Sequence, residues 1–197
     1  MKRIDKYDQL LNSGEYYNCN DPELLKYQFK CKRDMDRYNL TSNSPFGLKR
    51  RKKILQKMFG KIGANPYIEP PFHANFGGKN VFIGDNFYSN FNLTLVDDAR
   101  ITIGNNVMIG PNVTIITPVH PLEVKDRLSE CNQRNIPVTI GDNVWIASNV
   151  TIFPGVKIGN NVVIGANSLV TKDIPDNALA IGSPAVVTKM INNEDKK

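Results

Sequence analysis

From about residue 62 the chain places an aliphatic residue at every sixth position. Residues 140–175 divide into IGDNVW, IASNVT, IFPGVK, IGNNVV, IGANSL and VTKDIP, with Ile or Val first in each and usually Val fifth. IGNNVM at 103–108 and IGPNVT at 109–114 obey the same rule, and IGDNFY from 83 opens a rougher version. A helix buries residues with a period of 3.6 and a strand with a period of 2, so a period of six fits neither for long. It fits a coil of three short strands joined by corners, each coil stacked on the one before. The first aliphatic then points into a narrow interior where rows of Ile and Val pack. The second position is small, usually Gly or Ala, which leaves room near a corner. The Gly-Asn, Asp-Asn and Asn-Asn pairs suit corners because these residues tolerate φ > 0. Three hexads make a coil of 18 residues, so the 36 residues from 140 to 175 supply two coils.

The first sixty residues follow another pattern. In DPELLKYQFKCKRDMDRYNLT, Asp-Pro predicts an N-cap with proline at the first helical position, and Leu24, Leu25, Phe29 and Met35 recur at helical spacing. TSNSPFGLKRRKKILQKMFGKIG repeats the logic, with a Ser/Asn cap region and an apolar set that includes Leu48, Ile54, Leu55 and Met58. The chain therefore divides into a helical segment at 1–60, a repeat domain at 61–188 and a tail at 189–197.

The repeat breaks at ITPVHPLEVKDR. The stretch 116–137 is polar, charged and too long for a corner, so it is expected to project as a loop. His120 stands near its base between Pro118 and Pro121, which restrict the backbone on either side. An imidazole fixed at the root of a loop suits proton transfer near neutral pH, although a histidine in a polar loop is more often an ordinary surface residue.

Composition narrows the picture. Hydrophobic residues make up 41%, enough for a packed core. No run reaches the roughly 18 apolar residues of a spanning helix, and the N-terminus has no apolar signal segment, so a cytoplasmic location is expected. Cys19, Cys31 and Cys131 form neither a disulfide framework nor a metal-ligand pattern. The net charge is +6, much of it from KRRKK at 49–53, which reads as a solvated helix face. No exposed aromatics interleave with it, so neither nucleic acid nor membrane is an expected partner.

The repeat text resembles the hexapeptide-repeat proteins, which implies a mainly β fold, a left-handed parallel β-helix. A more specific resemblance is to the maltose and galactoside O-acetyltransferase group within that family. It rests on SGEYYNCNDPEL, YIEPPFHANFG, NFYSNFNLTLVDD, HPLEVKDR, PVTIGDNVWIASNV and VIGANSLVTKDIPDNALAIGSPA, which together span almost the whole chain. The resemblance implies direct transfer of an acetyl group from acetyl-CoA to a sugar hydroxyl, with His120 as general base and no metal. It implies acceptor contacts at Asn90 and Asp98, at Asn75 where HANFGGK carries an extra residue, and at Cys19 with Asn18 and Asp21 as rivals. Tyr88 can pack against a sugar face. Coenzyme contacts are implied at Ser148, Ala166, Thr171 and Lys172, with oxyanion donors near Ser148. After GSPA, where many members carry arginines, this chain has Val186 and Lys189; only Lys189 can meet a phosphate, and without the arginine fork. The group forms homotrimers with active sites between subunits. Trp145 then either packs on a neighbouring chain or lines the coenzyme cleft.

Rival readings remain within the same fold. A xenobiotic acetyltransferase also uses a loop histidine, but SGEYY…DPEL argues against it. A carbonic anhydrase of this fold needs about three histidine ligands, whereas the chain has only His73 and His120. A non-catalytic assembly subunit would leave His120 without a role.

Overall fold

The computed structural model describes residues 6–191. It is a parallel β-solenoid capped at one end by helices, and each coil contributes one short strand to each of three sheets. The first face stacks Lys61–Ile62, Val81–Ile83, Ile101–Ile103, Val138–Ile140 and Lys157–Ile158. The third face stacks Phe72–Ala74, Leu93–Val96, Thr114–Ile116, Thr151–Ile152 and Leu169–Val170. The second face runs from Tyr67–Ile68 through Tyr88–Ser89, Met108–Ile109, Trp145–Ile146 and Val163–Ile164 to a terminal hairpin.

The registers match the predicted coil. Trp145 pairs with Val163, and Thr151 with Leu169, both 18 residues apart. Thr102 pairs with Thr139 across 37 residues, so the loop adds 37 − 18 = 19 residues to one coil without disturbing its neighbours. The hexad aliphatics fill the interior: Ile103, Ile109, Ile115, Ile140, Ile146, Ile152, Ile158 and Ile164 are all buried.

The two corner residues have separate reasons. Asparagine carries the left-handed conformation, at Asn86, Asn106, Asn143 and Asn161 on one edge and Asn92, Asn112, Asn149 and Asn167 on another. These side chains also form ladders: Asn106 Nδ2 donates to Asn143 Oδ1 (3.0 Å), and Asn143 Nδ2 to Asn161 Oδ1 (2.9 Å). The hexad glycines differ from the expectation. Gly104 and Gly141 are not among the positive-φ residues. A Cβ on Gly104 would stand 2.6 Å from the Gly141 carbonyl oxygen in the next coil, so close stacking is what demands glycine there.

The helices are α1 (Lys6–Leu11), α2 (Pro22–Asn39) and α3 (Pro45–Met58), with a single turn α4 (Val124–Arg127) in the loop. Asp21 caps α2 by accepting from the amides of Glu23 and Leu24, as Asp-Pro predicted, and Ser44 caps α3. Met35, Tyr38, Leu55, Met58 and Phe59 close the open end of the solenoid core. Asn39 completes the seal as a surrogate strand, donating to Phe72 O (2.8 Å) and accepting from Phe72 N (3.0 Å).

Two helix expectations fail. Phe29 and Leu48 face solvent, at 62% and 42% exposed, because α2 and α3 turn Tyr38 and Arg51 inward instead. Within KRRKK, Arg51 is buried and donates to Thr41 Oγ1 and Asn43 Oδ1 (both 2.7 Å), while the other four are exposed. At the far end, Ala178–Gly182 and Ala185–Met190 form an antiparallel hairpin, so Lys189 belongs to a strand rather than to a free tail. Residues 192–197 of the expected tail lie outside the described residues. No described helix is long and apolar enough to cross a membrane.

Candidate active site

The loop leaves the edge where the third face turns into the first. Pro118–Val119 pairs antiparallel with Arg134–Asn135, so the loop is a ribbon at its base, and Leu122 to Cys131 are exposed at its tip. His120 follows the outgoing strand directly. Its Nδ1 lies 2.7 Å from the main-chain oxygen of Asn132 on the returning side. A carbonyl oxygen only accepts, so Nδ1 carries the proton and the Nε2 lone pair is left to act as a base.

A buried polar cluster lies behind the imidazole on the same edge. Asp98 is buried; its Oδ2 accepts from Asn75 Nδ2 (2.8 Å) and its Oδ1 from Gln133 Nε2 (3.1 Å). Burial pushes the Asp98 carboxyl above the usual range, and the two amide donors partly offset this. Its neighbour Asp97 is a structural group. It accepts from the amides of Phe76 (2.7 Å) and Gly78 (3.1 Å), and burial pushes its carboxyl up to about 7.

The segment between α1 and α2 crosses this edge. Tyr17 and Gln133 exchange main-chain hydrogen bonds (2.8 and 3.2 Å), and Cys19 N donates to Asn132 Oδ1 (3.2 Å). Burial, reinforced by the charge of Asp98, raises the Cys19 thiol. Asp21 is occupied as the α2 cap and Asn18 Oδ1 accepts from Asn20 N, which leaves Cys19 as the residue of that segment linked to the cluster. A cleft of about 310 Å³ lies between this segment and the loop, lined by Asn18, Asn20, Arg127, Leu128 and Asn132 among others.

The structure thus brings His120, Asp98, Asn75 and Cys19 to one place. Thr171 and Lys172 follow the last strand of the third face, on the same edge two coils further on. The remaining candidates lie elsewhere. Asn90, Ser148 and Ala166 mark the edge between the second and third faces, where Asn90 Oδ1 accepts from Phe91 N (2.8 Å). Tyr88 stacks on Tyr67 with ring centroids 5.8 Å apart, in the outward row that continues through Met108 to the half-exposed Trp145. Lys189 is exposed on the terminal hairpin opposite Leu179.

Sequence reasoning missed Tyr17, Asn132, Gln133 and Asn135. One signal was available: in NQRN the buried side chains alternate, Gln133 and Asn135 inward and Arg134 outward, as in a half-buried strand. Among the described residues no group of three His, Cys, Asp or Glu side chains could hold a metal ion.

A parallel solenoid of hexads with a histidine-bearing loop defines a hexapeptide-repeat transferase. The family model "Bacterial transferase hexapeptide (six repeats)" matches residues 137–172, and "Maltose acetyltransferase hexapeptide capping motif" matches 11–63. A galactoside O-acetyltransferase of Lactococcus lactis is 48% identical over 200 residues, covering 100% of this chain and 93% of that protein. A maltose O-acetyltransferase from Clostridium difficile 630 superposes with a TM-score of 0.90 at 39% identity, covering 97% of this chain and 100% of that one. A galactoside acetyltransferase in complex with coenzyme A superposes with a TM-score of 0.88 at 40% identity, covering 98% and 94%. The chain belongs to the maltose and galactoside acetyltransferase family, and it is an acetyltransferase.

Proposed function

We propose that the protein transfers the acetyl group of acetyl-CoA to a hydroxyl of a sugar of the maltose, glucose or galactoside kind, with His120 as general base. The observation that carries this reading is the 2.7 Å contact from His120 Nδ1 to Asn132 O, which leaves Nε2 as the basic atom. A sugar hydroxyl is a poor nucleophile until its proton is removed during attack. Nε2 takes that proton as the sugar oxygen bonds to the thioester carbonyl carbon. When the C–S bond breaks, the imidazolium returns the proton to the departing coenzyme sulfur. The raised Cys19 thiol keeps its thiolate scarce, which favours direct transfer over an acetyl-cysteine intermediate.

Asp98, Asn75 and Cys19 face the acceptor in this reading, joined by Asn90 and Tyr88. Ser148 and Ala166, with Thr171, Lys172 and Lys189, contact the coenzyme, and donors near Ser148 stabilise the oxyanion. These groups occupy two different edges of one solenoid, which supports a homotrimer whose sites form where one subunit's His120 edge meets its neighbour's Asn90–Ser148 edge. The protein works in the cytoplasm, on a freely diffusing acceptor. Thiol release from acetyl-CoA across a panel of sugars and aminosugars tests the acceptor class. His120→Ala is expected to lower turnover by about 10²- to 10⁴-fold while leaving oligomeric state and coenzyme binding intact. Unchanged turnover in that variant overturns the assignment.

A further inference from the structure

We propose that Gln133 is a positioning residue that ties the carboxylate of Asp98 to the imidazole of His120 through one buried polar junction with Tyr17 and Asn135. The proposal rests on the reading of His120 as base and Asp98 as acceptor contact. Gln133 is 5% exposed, so it meets almost nothing that enters the site, yet it touches both halves of it.

The first link is a single peptide group. The oxygen that accepts from His120 belongs to Asn132, and the nitrogen of that same planar unit is Gln133 N. Gln133 N donates to Tyr17 O (3.2 Å), while Asn132 O receives His120 Nδ1 (2.7 Å). Because C=O and N–H are fixed in one plane, holding the N–H sets the direction of the C=O. Rotation of that plane would release the imidazole and allow the proton to move to Nε2, which is the tautomer without a free base.

The second link is the side chain. Gln133 Nε2 lies 2.6 Å from Tyr17 Oη, 3.1 Å from Asp98 Oδ1 and 3.1 Å from Asn135 Oδ1. It has two protons for three acceptors. One allocation satisfies all the groups: Gln133 donates to Asp98 and to Tyr17, the Tyr17 hydroxyl donates to Asn135 Oδ1 (3.3 Å), and Asn135 Nδ2 donates to Leu11 O (3.0 Å). Tyr17 and Asn135 are buried too, so no part of the junction exchanges readily with water. A shift of the acceptor carboxylate is therefore passed to the peptide that holds the base, and the segment before α2 acts as a strut for the catalytic loop.

The histidine count makes the test direct, since only His73 and His120 contribute imidazole signals. Imidazole ¹⁵N spectra of the full-length protein, with His120→Ala to assign them, read the His120 tautomer without requiring turnover. The wild type is expected to show a protonated Nδ1. In Gln133→Leu the Nδ1–H form is expected to fall to a mixture, and kcat to drop about ten-fold, with the KM for acetyl-CoA unchanged and that for the sugar raised. Gln133→Glu keeps the side-chain reach but sets a second carboxylate against Asp98, and is expected not to rescue. If Gln133→Leu does not fold, Tyr17→Phe, which removes one hydroxyl, is expected to move the same signals to a smaller extent. An unchanged tautomer and unchanged kcat in a folded variant overturn the proposal. The two readings fail separately: full turnover in His120→Ala defeats the base assignment, whereas an inactive His120→Ala beside an unaffected Gln133→Leu defeats only the positioning role.

Discussion

Asn143 sits at a solenoid corner with φ +57 and joins three coils, accepting from Asn106 (3.0 Å) and donating to Asn161 (2.9 Å). Replacing it with alanine removes both hydrogen bonds and forces a Cβ-bearing residue that lacks the compensating amide into the left-handed region. That conformation costs about 1–2 kcal/mol for an ordinary L-residue. The two bonds are solvent-exposed, so each contributes about 0.5 kcal/mol, the lower end of the usual range. Asn143→Ala is therefore expected to lose about 2.5 kcal/mol. Glycine loses the same bonds and about 0.7 kcal/mol of chain entropy, but carries no left-handed penalty. Asn143→Gly should accordingly be the more stable variant by roughly 1 kcal/mol. Urea unfolding followed by circular dichroism, at one fixed protein concentration because association contributes to stability, measures the difference. Asn20→Ala, at an exposed asparagine outside the left-handed set, is the control and should be near neutral. Equal losses for alanine and glycine would refute the conformational argument for asparagine at these corners. Losses below about 0.5 kcal/mol in both, the usual size of a neutral surface change, would refute the ladder as well.

Gly104→Ala places a Cβ 2.6 Å from the Gly141 oxygen, and backbone cannot yield as a side chain can. It should lower the urea midpoint more than Asn143→Ala does, and an equal or higher midpoint would contradict close coil stacking. Arg51→Lys keeps the charge but loses the fork to Thr41 and Asn43, and is expected to lower stability by about 2 kcal/mol in thermal melts. Asp97 holds its proton up to about pH 7 in the folded chain, against roughly 4 for an ordinary aspartate. Between those values the folded state binds more protons than the unfolded state, so stability falls as pH rises through that window and levels off above it. Asp97→Asn should flatten that slope in urea midpoints measured across it; an unchanged slope would assign the effect elsewhere.

The architecture was legible because its determinants are local and repeated. Each hexad specifies which residue points inward, and stacking makes the same statement in coil after coil. Asp21-Pro22 likewise specified a helix start within four residues, and the cap formed where expected. His120 stood out for a related reason, at a break in the period between two prolines. Phe29 and Leu48 misled the helical reading because spacing alone does not say which stripe of a helix a solenoid end will cover. The larger buried groups here, Tyr38 and Arg51, won that place.

What only the tertiary structure decided was the set of partners for buried polar atoms. Tyr17 meets Gln133 across 116 residues of chain, and Gln133 meets Asp98 across 35. Nothing in the composition of either segment announces those pairings, because a buried donor takes whatever acceptor the fold brings within reach. The hexad period fixed by the sequence is a matter of side-chain direction, which each short strand determines for itself. Which proton His120 keeps depends instead on a carbonyl that returns to it only after the nineteen-residue excursion of the loop has closed.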